Sequence, residues 1–254
     1  MIIKWIANIN PSMDKIIFLI YLFVLLGLIA HAIGNTLTGR FQDRFVNKNM
    51  KKVTREEYLL PPIRVTHYTH LICILGLVFT GFCIRYKIFE SHIVMWRRHH
   101  YYLGVIVTAN FIIRFFYAFG GRGKTYKDFP VRFKDILNTP KVIKYYLFLS
   151  DEYPHVAKYA SLQKITYNLF WQIGFFQGIS GLCLLAPELM LSSLIIYTGS
   201  LKMAVSFVTV IHMLITWFYI ITTTIHVYLS VTEGFPLFKL IMFNIEPKIV
   251  AEEK

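Results

Sequence analysis

Five stretches of this chain are apolar for long enough to cross a lipid bilayer, and the polar residues gather in blocks between them. A spanning helix needs about 20 predominantly apolar residues. Ile16–Gly34, Val65–Ile84, Tyr101–Phe119, Ile165–Leu185 and Ala204–Ser230 meet that requirement, and none contains an acidic residue. The third carries Asn110 and Arg114, and the fifth is long enough to tilt or to project beyond the hydrocarbon. Pro61 and Pro62 mark the entry to the second span. The Asn138-Thr-Pro140 and Tyr153-Pro154 breaks predict that the loop before the fourth span falls into short amphipathic pieces, an interfacial cover or a docking surface. The chain has no internal repeat and no low-complexity segment.

Composition agrees with the pattern. Of 254 residues, 56% are hydrophobic and only 16% charged, too little polar surface to cover a soluble domain of this size. The net charge of +13 would suggest nucleic acid in a soluble protein. Here the Lys and Arg residues sit in segments between apolar runs, as in cytoplasmic membrane loops, and no nucleic-acid module is present. The loops joining spans one to two and three to four are strongly basic, whereas the last loop holds one Lys. The positive-inside rule therefore predicts an outer N-terminus and a cytoplasmic C-terminus. The segment Arg85–Arg98 is expected outside yet carries four Lys and Arg residues, against this trend. The first residues lack a signal-peptide layout, so the first apolar run is expected to be retained. Cys73, Cys83 and Cys183 lie in or beside apolar runs without a CxxC or CxxCH motif, and read as small buried hydrophobes.

The chemistry lies in the histidines. His212 and His226 stand 14 residues apart in the fifth span. Along a helix that is roughly 21 Å of rise and leaves the two side chains within ~40° of one face. A lone histidine in a membrane most often bonds a carbonyl of a neighbouring helix; two on one face at opposite depths suggest ligands for two flat cofactors. His67, at the cytoplasmic end of the second span, is level with His226. His99 and His100, at the outer end of the third, are level with His212. Depth alone thus pairs His67 with His226, and either His99 or His100 with His212. His70 follows His67 by one turn and suits a propionate or quinone contact, or a replacement for His67. His31 reads as interfacial polarity, and His92 and His155 as solvated loop residues. Arginine pairs with carboxylates, and Arg64, Arg97 and Arg98 flank these histidines, where lipid head groups would serve them equally well, while Arg114 is buried by sequence and needs an anion or a water-filled cavity. Gly76, Gly81, Gly104, Gly178 and Gly181 permit close approach of a helix or a porphyrin.

These residues resemble the b-type cytochrome subunits of membrane-bound nickel–iron hydrogenases and the gamma subunits of respiratory formate dehydrogenases, both prokaryotic di-haem cytochromes b. Four passages carry the resemblance: Arg64–Phe82 with an R-x-x-H opening and a later T-G, His99–Phe119 with H-x13-R, Tyr159–Leu185 with Q-x-x-x-G-L, and Ile211–Phe235 with H-x13-H. The second pattern selects His100 over His99. The resemblance implies an all-α integral membrane fold, a four-helix di-haem bundle over 64–235 holding two non-covalent haem b groups. His100 and His212 would ligate the outer iron, and His67 and His226 the inner one. It further implies a quinone site near the cytoplasmic haem, an iron–sulfur subunit and a catalytic subunit on the outer face, and the prokaryotic inner membrane. Residues 1–63, an extra span with its basic linker, precede the family's usual start, and 236–254 form a cytoplasmic tail.

The expected role is transmembrane electron transfer between that partner and membrane quinone, with quinone reduction or quinol oxidation as the half-reaction. A proton-coupled transporter with a histidine relay is the rival, but it calls for acidic residues within the spans, and the five runs contain none. A quinol-oxidising anchor of a periplasmic reductase would use the same wiring in reverse.

Overall fold

Lipid offers no hydrogen-bond partner to the backbone, so a segment inside it must satisfy its own amides, and a helix does so locally. The computed structural model describes residues 2–41, 61–121, 124–151, 159 and 161–245, and they contain helices, turns and no strand. Nine α-helices follow one another among them: α1 (Ile2–Leu37), α2 (Pro61–Arg85), α3 (Ile93–Gly120), α4 (Phe133–Tyr146), α5 (Ser161–Leu185), α6 (Pro187–Met190), α7 (Ser192–Thr198), α8 (Leu201–Thr232) and α9 (Phe235–Phe243). Five stretches are long and apolar enough to cross a membrane: Met13–Leu37, Pro62–Arg85, Glu90–Gly120, Ser161–Leu185 and Leu201–Thr232. The protein is thus an all-α membrane protein with five spans, as the hydropathy pattern predicts. Each helix outruns its apolar core because polar residues at the ends continue the helical ladder toward the interface. The basic linker over 42–60, the Tyr153-Pro154 break, His155 and the tail beyond 245 lie outside the described residues.

The helices form two compact units. One comprises residues 1–27 and 165–224, and so contains the first part of α1, nearly all of α5, the short α6 and α7, and most of α8. Leu191, Ala204 and Val208 make its buried centre, with Cys183, Leu184 and Phe207 packed around them. Tyr21 reaches Thr224 with its hydroxyl (3.3 Å) and packs its ring on Trp217. Tyr219 donates to the Phe170 carbonyl at 2.9 Å and stacks on the Phe170 ring. Gly199 closes α7 at φ 79°, a left-handed turn that costs a residue without a Cβ little.

The other unit comprises residues 28–164 and 225–254. Here α2 and α3 pack along one another. The buried stripe of α2 is small and polar, with Thr66, Cys73 and Thr80 each two turns apart, while Ile72, Leu75 and Phe79 are exposed. This inversion of soluble amphipathicity is expected where the outer solvent is lipid. Asn110 is buried and donates to the Thr66 carbonyl at 2.9 Å, so the residue that interrupts the third apolar run ties α3 to α2. Cys73 and Cys83 are buried free thiols, as expected for small hydrophobes.

One expectation is corrected. The Asn138-Thr-Pro140 break does not divide the loop: α4 runs through Pro140 from Phe133 to Tyr146. A proline in a helix interior removes one ladder bond and costs about 3 kcal/mol, so other contacts must hold this helix. Val142 and Tyr145 are buried, and the Thr139 hydroxyl bonds the Asp135 carbonyl at 2.9 Å. Arg40 bonds the Tyr145 and Ser150 carbonyls at 2.9 and 2.8 Å and lies over the Tyr145 and Phe148 rings, capping the far end.

At the near end Asp135 accepts from the Arg132 backbone N–H at 2.9 Å and from Lys164 at 3.1 Å. The Arg132 N–H, with Lys164 adding to it and burial opposing, holds the Asp135 carboxyl below the usual carboxylate range. A depressed folded pKa means stability that is present above the unfolded value and lost as pH falls through the folded one. Asp135→Asn should therefore cost about 1–2 kcal/mol at neutral pH, and its Tm deficit against the native chain should shrink below about pH 4. Thermal melts in detergent across that range check this; a deficit of constant size would count against it.

Candidate functional site

The sequence places seven imidazoles within or at the ends of spans, and each is seated differently. His99 and His100 are neighbours on α3, so their side chains point about 100° apart. His99 is exposed, and its Nδ1 bonds the Met95 carbonyl of its own helix at 2.8 Å. His100 is half-buried and reaches across to α2, where its Nδ1 lies 2.9 Å from the Thr80 hydroxyl. In the other unit His212 is half-buried, with its Nδ1 2.9 Å from the Ser180 hydroxyl of α5. Its Nε2 lies 3.2 Å from the Gln177 side-chain amide, which also donates to Thr216 at 3.0 Å.

His67, His70, His226 and Arg114 come together in the second unit. His67 lies within electrostatic reach of His226, of His70 and of Arg114. These four groups come from α2, α3 and α8. His67 is exposed although it stands among them, whereas His226 and His70 are half-buried. His70 packs edge-on against Phe111 at 5.0 Å. Arg64, one turn before His67, lies over the Tyr68 ring at 5.6 Å.

Arg64 Nε and Arg114 Nη1 are buried atoms with no hydrogen-bond acceptor. A guanidinium donor out of water and unpaired is costly, and a carboxylate is its natural complement. His31, read from sequence as interfacial polarity, is in fact tied down: its Nδ1 lies 2.7 Å from the Tyr228 hydroxyl and 3.1 Å from the Asn35 amide, and Asn35 is fully buried. His92 is exposed in the turn after α2. Thr80, Ser180 and Gln177 escaped sequence reasoning as individual residues, although Thr80 and Gln177 lie inside the quoted motifs; hydroxyls and amides in spans are too common to stand out.

These features define a helical membrane protein whose buried polar side chains, among the described residues, are hydroxyls and amides, with the imidazoles of His70, His100, His212 and His226 half-buried. Residues 60–243 match the family model of prokaryotic cytochrome b561, and the chain belongs to that family. It is a multi-pass membrane electron-transfer cytochrome that binds haem b. Searches of curated proteins and of solved structures found no match.

The residues present fit that group. Neutral imidazole is a haem axial ligand, and unpaired arginine nitrogens suit anionic propionates. Two glycines leave the rings clearance: a Cβ on Gly81 would lie 3.4 Å from His100 Cε1, and one on Gly181 3.6 Å from His212 Cε1. Were His212 Nε2 to hold such a group, the Gln177 side chain, now 3.2 Å away, would have to swing aside, which its three torsions allow. The clearance yields an expectation. Gly81→Val and Gly181→Val should each lower the haem bound per chain, because the branched side chain would strike the imidazole. Gly27→Val, at a position with nothing within 4 Å of its would-be Cβ, should leave it unchanged. Pyridine haemochrome assays on membranes normalised for protein amount check this.

Proposed function

We propose that this chain is the membrane-anchoring di-haem subunit of a respiratory complex. It carries electrons between a periplasmic iron–sulfur and catalytic partner, of the hydrogenase or formate dehydrogenase kind, and quinone in the membrane. The observation that carries the reading is the unbroken helix α8, which bears His212 and His226 on nearly one face, roughly 21 Å apart in rise. A single continuous helix with two imidazoles at those depths suits one haem toward each side of the lipid. Haem b, when bound, supplies the one-electron ferric–ferrous couple.

The chain's own residues do the rest. His67 and His226 ligate the inner iron, a pairing supported by their electrostatic proximity. His100 and His212 ligate the outer iron, a pairing supported by their depth in the sequence and by the H-x13-R and H-x13-H patterns. Arg64 and Arg114 neutralise propionates. His70 serves the quinone, one turn from His67, and the cytoplasmic side supplies or receives the quinone's protons. The basic loops support an outer N-terminus and a cytoplasmic C-terminus.

Two measurements test this. The purified protein should give a reduced-minus-oxidised b-type spectrum and about two haems per chain, with His212→Ala and His226→Ala each removing one. One haem per chain, or a spectrum unmoved by both substitutions, would overturn the ligand assignment. Reporter fusions after residue 245 should be active as cytoplasmic, not exported, enzymes.

A further inference from the structure

Two imidazoles in separate units sit on the same small device. Thr80 Oγ1 lies 2.7 Å from the Gly76 carbonyl and 2.9 Å from His100 Nδ1. Ser180 Oγ lies 2.9 Å from the Gln177 carbonyl and 2.9 Å from His212 Nδ1. A hydroxyl has one hydrogen. Where that hydrogen goes to the carbonyl, only lone pairs face the ring, so Nδ1 carries the proton and Nε2 the basic lone pair; at His100 the Leu77 carbonyl is a further acceptor for the ring. The residue after each hydroxyl is a glycine beside the ring: a Cβ built there would touch it, 3.4 Å from His100 Cε1 at Gly81 and 3.6 Å from His212 Cε1 at Gly181. Thr80-Gly81 and Ser180-Gly181 thus share one arrangement: the first residue's hydroxyl meets Nδ1, and the second leaves the space beside the ring open.

We propose that Thr80 and Ser180 are positioning residues that hold His100 and His212 in the Nδ1–H tautomer and set the reduction potential of the haem each imidazole ligates. The proposal rests on the reading of His100 and His212 as ligands. Partners of a ligating imidazole's outer N–H fix its tautomer and orientation and raise its basicity. A more basic ligand favours ferric iron and lowers the potential. A hydroxyl that is itself donating is polarised into a better acceptor, yet being neutral it remains weaker than a carboxylate. The device therefore grips the ring without driving the potential far down, which suits a centre that must both take and give an electron.

The test uses the full chain with haem bound. Thr80→Val keeps the side-chain shape and removes the acceptor; Ser180→Ala removes the other. Each should raise the midpoint of one b haem by about tenfold in the redox equilibrium, which is about 59 mV for one electron, and change the EPR signature of that haem. Haem per chain should stay constant, and Thr80→Ser and Ser180→Thr should restore the native midpoint. An unmoved midpoint with haem retained, a midpoint that falls, or haem loss that the conservative variants do not restore would each overturn the proposal. His100→Ala and His212→Ala run alongside. If these keep both haems, the ligand reading itself has failed; if they lose one while the hydroxyl variants do nothing, only the positioning role has.

Discussion

A polar group inside hydrocarbon must find its partner within the protein, and that constraint orders this molecule. It makes the spans helical, and it governs the hydroxyls along them. Thr66, Thr108, Thr216, Thr222 and Ser230 each bond the carbonyl one turn back on their own helix. Asn110 finds a carbonyl on the neighbouring helix, and Tyr219 does the same. Arg64 Nε, Arg114 Nη1 and Trp96 Nε1 are among the buried donors to which no protein acceptor is supplied.

The same constraint separates what the sequence made legible from what it did not. The five spans were readable because apolar length survives any arrangement of neighbours. The spacing of His212 and His226 was readable because both lie on one helix, whose geometry needs no partner to define it. His99 against His100 was not readable from depth, since adjacent residues share a level and differ only in direction. The structure turns His100 toward Thr80 and leaves His99 on the Met95 carbonyl of its own helix. Pro140 misled for a related reason: its local cost is real, but the burial of Val142 and Tyr145 and the Arg40 cap are tertiary and invisible in the stretch itself. His31 was read as interfacial because its partner, Tyr228, lies near the far end of the chain.

Membership of the prokaryotic cytochrome b561 family and the seating of the imidazoles fit together without one being derived from the other. The family match speaks to residues 60–243. The span before it, α1, is joined to later helices by specific polar contacts: Tyr21 to Thr224 in one unit, His31 to Tyr228 in the other. It is fitted to this protein at defined registers rather than attached as a bare hydrophobic anchor.

That last contact has a consequence for biosynthesis. His31 and Asn35 lie in the first of the five spans, while the hydroxyl that His31 meets is 197 residues later. Until the fifth span has been inserted, this imidazole and its companion amide wait in the bilayer without it. Their docking is a late, long-range event, and a nascent chain stalled before Tyr228 differs from the finished one by an imidazole deprived of that hydroxyl in the membrane.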